Sequence, residues 1–375
     1  MSRPLAALLT ILALLAVPLA PAGSAPGRAD TSYDARIRGW DVATPAAADF
    51  RAKRLAWLAR QAKRRNSTCF AVVRDGRLVR DWNWLQHTRD TPREVFSVTK
   101  SVTATLIGIA ARDGDLKVSD RASKYIPRWR KGPSRHVTIR HLLSNSSGRF
   151  WSFKGDYGRL FQARNRTKYA VGLRQQYAPG ATWAYNNAAI QTLDLILRRA
   201  TGMATDDFAQ RRLFGPLGMR NTSMTRDPSG RSTNTYFGLR TTCLDIAKFA
   251  RLYLQRGRLG ERRILSKAFV RAATGRSSTA HAANYGYLWW LNRPGILRGA
   301  TDRVDRHGQP LDRAYGKLAP RASERAFAAL GFGGQTVLVD PGSRTIVVRL
   351  GIVKQGVHYT FEDATRVVTW AQRRR

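Results

Sequence analysis

The chain is poor in several things that would point to common site chemistries. It has two cysteines in 375 residues, Cys69 and Cys243, enough for one disulfide and too few for a cysteine zinc cluster. A strand cysteine serves equally as a buried filler, so sequence leaves the pairing open. The six histidines, His136 and His141 among them, show no His-Glu-x-x-His arrangement, and no metal or other cofactor is expected. No Gly-x-Ser-x-Gly elbow exists, which removes an α/β-hydrolase triad. Acidic residues are scarce as well: 25 Asp and Glu stand against 65 Lys and Arg, only 12 of them lysine, for a formal net charge of +40. A genomic preference for arginine would not also deplete Asp and Glu. Charge of this size draws polyanions, and an anionic cell-wall polymer is one candidate partner. The cations are nevertheless dispersed, clustered only briefly as at Lys63-Arg64-Arg65 and Arg373-Arg374-Arg375. With no zinc-finger or RNA-binding pattern beside them, no specific nucleic acid is expected.

Long apolar runs are missing beyond the N-terminus. Arg3, the apolar stretch Leu5 to Leu19 and the small residues Gly23-Ser24-Ala25 read as a secretory signal over residues 1–25. A retained anchor is the competing reading, and the shortness of the stretch and its prolines Pro18 and Pro21 weigh against it. The expectation is an exported protein with no membrane span in its mature form, residues 26–375 making a single domain.

What is present describes a real core: 43% hydrophobic residues and ten tryptophans. Residues 46 to 65 carry apolar residues at helical spacing. Thr68 to Arg74 and Arg77 to Trp82 flank Asp75-Gly76, a two-residue hairpin signal. From about 115 to 280 helices dominate, at Thr138 to Leu143, Ala188 to Arg199, Asp206 to Leu213 and Leu244 to Gln255. Strand patterns return at Tyr285 to Leu291, Gln335 to Val339 and Arg344 to Leu350, before a last helix from Phe361 to Arg373. This predicts an α/β (α+β) fold: an antiparallel sheet assembled from both termini, flanked by helices, with a helical subdomain inserted. Residues 293–325 lack periodicity and read as a lid or a mobile insertion.

The chemistry centres on Ser97-Val98-Thr99-Lys100. On a helix, positions i and i+3 share a face, so the Lys100 amine comes within reach of the Ser97 hydroxyl. Lysine and the helix N-terminus together can activate serine without histidine. The spacing is weak evidence alone, since about one copy is expected by chance in a chain of this length. Tyr185-Asn186-Asn187 adds a second group: a tyrosine whose pKa is lowered by a neighbouring cation can act as a base, and Asn187 can orient Lys100 or a substrate carbonyl. On the triplet alone a turn tyrosine and a helix-capping asparagine remain the commoner use. Trp151, Phe153, Tyr157 and Trp183 lie near these blocks as candidate pocket walls, and ordinary packing is the commoner use of such rings.

Four blocks in order carry a family resemblance: Phe96 to Ser101; Thr138 to Gly148; Pro179-Gly180 leading to Tyr185-Asn186-Asn187; and Leu213-Phe214-Gly215-Pro216-Leu217-Gly218-Met219. Over roughly residues 45 to 372 the chain resembles the serine beta-lactamase-related family, which includes class C beta-lactamases, D-alanyl-D-alanine carboxypeptidases, esterases and 6-aminohexanoate-dimer hydrolases. The resemblance implies a beta-lactamase/transpeptidase-like fold, Ser97 as nucleophile, Lys100 as its activator, Tyr185 as general acid/base and Asn187 in support. The family's Lys-Thr-Gly strand motif is replaced here by Ala329 to Gln335, without the lysine. Its glycines still let a strand edge approach a substrate, and the N–H of Phe332 joins that of Ser97 as the implied oxyanion hole. The missing lysine shifts the expectation toward an ester or amide hydrolase and away from beta-lactam or D-alanyl peptide chemistry, which stays as the competing enzymatic reading. A non-catalytic, polyanion-binding scaffold is the competing reading of another class.

Overall fold

The computed structural model describes residues 36–305, 311 and 314–373. The expected signal segment lies outside the described residues. A six-stranded, fully antiparallel sheet organises the rest, built from β1 (Ser67–Arg74), β2 (Arg77–Asn83), β3 (Trp290–Leu291), β4 (Phe327–Gly331), β5 (Gln335–Asp340) and β6 (Thr345–Gly351) in the spatial order β3-β4-β5-β6-β1-β2. The central pairing joins the two ends of the chain, with Val347 opposite Val72 and Arg349 opposite Phe70. Asp75 and Gly76 both have positive φ, 51° and 78°, the backbone a primed two-residue hairpin demands.

Both faces of the sheet are covered, so its strands alternate between two cores rather than between core and water. Phe70, Val72, Leu338 and Val347 point to one side, where α1 (Ala52–Arg64) contributes Leu55, Leu58 and Ala62 and the C-terminal helix contributes Phe361 and Val367. Ala71, Val73, Val337, Val339, Ile346 and Val348 point to the other, toward α2 (Val98–Asp113) and the inserted helices. Helix α2 is the axis of that layer: 13 of its 16 residues are buried. Its polar side chains are satisfied by distant partners, Ser101 Oγ by Leu288 O at 2.6 Å and Thr103 Oγ1 by Thr235 O at 2.7 Å. Deep burial of hydroxyls without such partners would cost roughly 1–3 kcal/mol each.

Between the sheet segments lie α3 (Asn187–Thr201) and α4 (Cys243–Leu254) with shorter helical turns. Cys69 of β1 and Cys243 at the head of α4 form a disulfide, Cα–Cα 6.2 Å, that ties the sheet to this layer. Two expected elements differ from the structure. The aromatic run Tyr285 to Leu291 is a strand only at Trp290–Leu291. Its earlier part turns back on itself, with Leu288 at φ 58° and Tyr285 bridged to Trp290, because the rings of Tyr285, Trp290, Trp183 and Tyr185 pack on one another at 4.9–6.5 Å. The last helix is regular only over Phe361–Arg366 and continues as a wider turn over Val367–Ala371. Of the 293–325 stretch, Gly295–Leu297 and Ala314–Gly316 pair as a short ladder. Contacts from Tyr157 to Ala300 O at 2.9 Å and from Tyr177 to Asp305 O at 2.8 Å hold this stretch against the body.

Candidate active site

Ser97 is the N-cap of α2, at the positive end of a buried helix. The residue before it, Phe96, has φ 48°, a left-handed conformation that a bulky side chain rarely adopts. Glu94 holds it there: its Oε1 accepts both the Phe96 N–H and the Gly238 N–H at 2.9 Å. Strain fixed from outside in this way presents the Ser97 hydroxyl in one direction.

Lys100, one turn on, is fully buried and its Nζ lies 2.8 Å from Ser97 Oγ and 2.7 Å from Tyr236 O. The rings of Tyr185 and Tyr236 flank the amine at 4.8 and 5.5 Å. Burial drives its pKa down from 10.5 to about 7, against an opposing pull from the Asp156 carboxylate. A neutral amine has one lone pair and two hydrogens, which suits a hydroxyl to activate and a carbonyl to anchor against.

Tyr185 is buried, its ring face 4.8 Å from the Lys100 amine that holds Ser97. Contrary to the expectation of a lowered pKa, burial pushes it well above the ordinary tyrosine value, and the Asp156 charge adds to this. The phenol is therefore neutral around pH 7, and Lys100 is the group poised to lose a proton there. The Ser144 to Gly148 block positions this tyrosine: Ala184 N–H donates to Asn145 O at 3.0 Å and Asn186 N–H to Asn145 Oδ1 at 3.3 Å. Trp151 Nε1 donates to Tyr185 O at 3.1 Å.

Asp156 escaped the sequence reading. Its buried carboxylate accepts the N–H groups of Asn187 at 2.7 Å and Ala188 at 2.8 Å, capping α3 beneath the tyrosine. Burial raises its pKa to about 6 despite those bonds and the nearby Lys100 charge. A signal existed: it is the only acidic residue between Asp120 and Asp194. Asn187, expected to orient Lys100 or a substrate carbonyl, is buried at the start of α3, its N–H held by Asp156 and its Oδ1 without a partner among the described residues.

The glycine-rich edge closes the site. A Cβ on Gly331 would lie 2.2 Å from Val95 O, so β4 ends directly against the segment that leads to Ser97. Phe332 follows, its ring 5.8 Å from that of Phe96. The N–H groups of Ser97 and Phe332 have no acceptor among the described residues. No lysine stands at this edge. Arg349, the buried cation beneath it, directs its guanidinium to Gly333 O at 2.6 Å and Ser67 Oγ at 2.7 Å, and also to Arg65 O. Of the expected walls, Trp183 belongs to the core and Trp151 is half-buried, whereas Phe153 and Tyr157 are exposed. The Leu213 to Met219 block packs into the core, where Lys248 Nζ holds Gly218 O at 2.6 Å.

Comparison with known proteins follows this geometry. The sequence profile of the family described as Beta-lactamase matches residues 52–367. Penicillin-binding protein 4* of Bacillus subtilis is 32% identical over 141 residues, 34% of this chain and 30% of that protein. A D-aminopeptidase of Cereibacter sphaeroides is 30% identical over 176 residues, 42% of this chain and 32% of that protein. The chain thus spans about a third of the length of these two relatives. Among solved structures, a candidate 6-aminohexanoate-dimer hydrolase from Bacillus anthracis superposes with TM-score 0.65 at 20% identity, over 83% of this chain and 81% of that one.

Proposed function

The chain belongs to the beta-lactamase family and is a serine hydrolase, and from that premise we propose that Ser97 forms the acyl-enzyme with an ester or amide that has no carboxylate next to the scissile bond. The observation that carries the reading is the buried Lys100 amine 2.8 Å from Ser97 Oγ with its pKa lowered to about 7. Neutral Lys100 takes the Ser97 proton as Oγ attacks the carbonyl. The N–H groups of Ser97 and Phe332 receive the oxyanion. As the tetrahedral intermediate collapses, the Tyr185 hydroxyl gives its proton to the departing alkoxide or amine and regains one from Lys100. Water then attacks the acyl group, its proton passing to Lys100, and Ser97 Oγ leaves and takes that proton from Lys100, which restores the neutral amine. The first transfer runs along the existing 2.8 Å hydrogen bond between Lys100 and Ser97.

Substrate class follows from the missing cation. A lysine at the glycine edge would attract a carboxylate, and Arg349 is turned to backbone and Ser67 oxygens beneath it. Arg166 is likewise turned to Phe161 O at 2.7 Å and Asn234 Oδ1 at 2.9 Å. This supports esterase or 6-aminohexanoate-oligomer-hydrolase-like chemistry over beta-lactam and D-alanyl peptide hydrolysis. The N-terminal leader supports export. Short-chain esters, linear amide oligomers, a chromogenic cephalosporin and D-alanyl peptides, each assayed with wild type and Ser97→Ala, test the reading. Turnover of an ester or oligomer, lost in the variant, is expected; turnover confined to the cephalosporin or the D-alanyl peptide would overturn the substrate class.

A further inference from the structure

Eight large apolar side chains are exposed among the described residues, five of them aromatic, and four of these rings lie on segments around Ser97: Phe332 against Phe96, Phe161 against Phe237, and Phe153 and Tyr157 on either side of Asp156, which caps α3. Three occupy one helical stretch, the wide turn Lys154–Arg159 continued by Leu160–Gln162. The spacing i, i+4, i+8 sets Phe153, Tyr157 and Phe161 in a row. The first two rings are 5.0 Å apart, and Phe161 lies 5.6 Å from Phe237, next to the Tyr236 carbonyl that holds Lys100. Between and after the rings stand the exposed cations Lys154, Arg159, Arg164 and Lys168, none ion-paired among the described residues. The one carboxylate of the stretch, Asp156, is buried.

Aromatic rings in a row with unpaired cations beside them suit a surface that is apolar below and anionic above. Rings enter the acyl boundary while Lys and Arg stems run along them and place their charges among phosphates. No helix among the described residues is long and apolar enough to cross a membrane. We propose that residues 153–168 dock the protein on an anionic lipid surface with the cleft mouth facing it. A soluble polyanion can stack its own rings on exposed aromatics, whereas a lipid surface takes them into an acyl phase, and the vesicle and dextran sulfate arms of the test separate the two. This proposal is independent of the acyl-enzyme, because docking needs neither Ser97 nor turnover.

The test uses Ser97→Ala protein without the expected leader, residues 26–375, and sedimentation with vesicles of phosphatidylcholine alone or with 30% (about one lipid in three) phosphatidylglycerol. The expected result is binding at least about tenfold tighter to the anionic vesicles, weakened about tenfold by Phe161→Ser and similarly by Lys154→Glu with Arg159→Glu. Arg60→Glu with Arg64→Glu, exposed on α1 across the sheet, is the control for bulk charge and should bind as the parent does. Thermal melts and far-ultraviolet circular dichroism verify that each variant is folded. Equal loss in the α1 control, or undiminished binding by Phe161→Ser, would overturn the proposal in favour of nonspecific charge attraction. Binding to dextran sulfate but not to anionic vesicles would overturn it in favour of a polymer.

Discussion

If Lys100 is the base, its ionisation writes the pH dependence of the reaction. A solvated lysine holds its proton until about pH 10.5; burial lowers this one to about 7. The difference corresponds to about 5 kcal/mol of destabilisation of the ammonium by its surroundings. The neutral amine is the active form, so kcat/KM should rise with pH through about 7 and level off above 8. At pH 6 roughly a tenth of the plateau remains and at pH 5 roughly a hundredth, from a single ionisation. The Asp156 carboxylate opposes the shift, so Asp156→Asn should move the limb to lower pH. The assay is hydrolysis of a soluble uncharged ester from pH 5 to 10, beside the rate of labelling by a serine-directed fluorophosphonate, whose own charge does not change. Two results would refute the reasoning. A rate still climbing tenfold per unit between pH 8 and 10 would mean a lysine near its solvated value. A flat profile from pH 5 to 8 would mean that Lys100 is not the base.

Two further outcomes follow from the scaffold. Removing the disulfide with Cys69→Ser and Cys243→Ser frees a loop of 174 residues and should cost on the order of 5 kcal/mol by loop-closure entropy; a urea melt unchanged from wild type would count against it. Gly331→Ala places a methyl 2.2 Å from Val95 O, forcing β4 away from the segment before Ser97. It should lower the melting temperature and reduce kcat by at least about tenfold, since a shift of about 1 Å at a site costs that much or more. Wild-type kcat in this variant would show that the edge does not help to build the site.

Much of this was legible because two local codes were clean. The Asp75-Gly76 turn and the β-branched runs at both ends announce a sheet whose first and last strands meet, and they do, Val72 facing Val347. Serine and lysine three apart on an apolar run announce a shared face, and the buried α2 provides it. What failed was everything set by burial rather than by spacing. The Tyr285 to Leu291 run has strand composition, yet its rings prefer one another to a ladder. Tyr185 was expected with a lowered pKa, but a phenol enclosed among Trp183, Tyr285 and Trp290 is held neutral. Asp156 has no motif around it, and only its isolation in an acid-poor stretch marked it. Asn187 keeps its place at the start of α3, where Asp156, 31 residues away in the chain, holds its N–H, a contact no spacing rule announces.

The central claim is that Ser97 becomes acylated with the help of Lys100. The most direct measurement is peptide-level mass spectrometry after a brief incubation with the fluorophosphonate at pH 8. A single adduct on Ser97 is expected in the wild type, none in Ser97→Ala, and labelling slowed by two or more orders of magnitude in Lys100→Met, on the order of the usual general-base contribution. An adduct on another serine, or undiminished labelling of Lys100→Met, would contradict it.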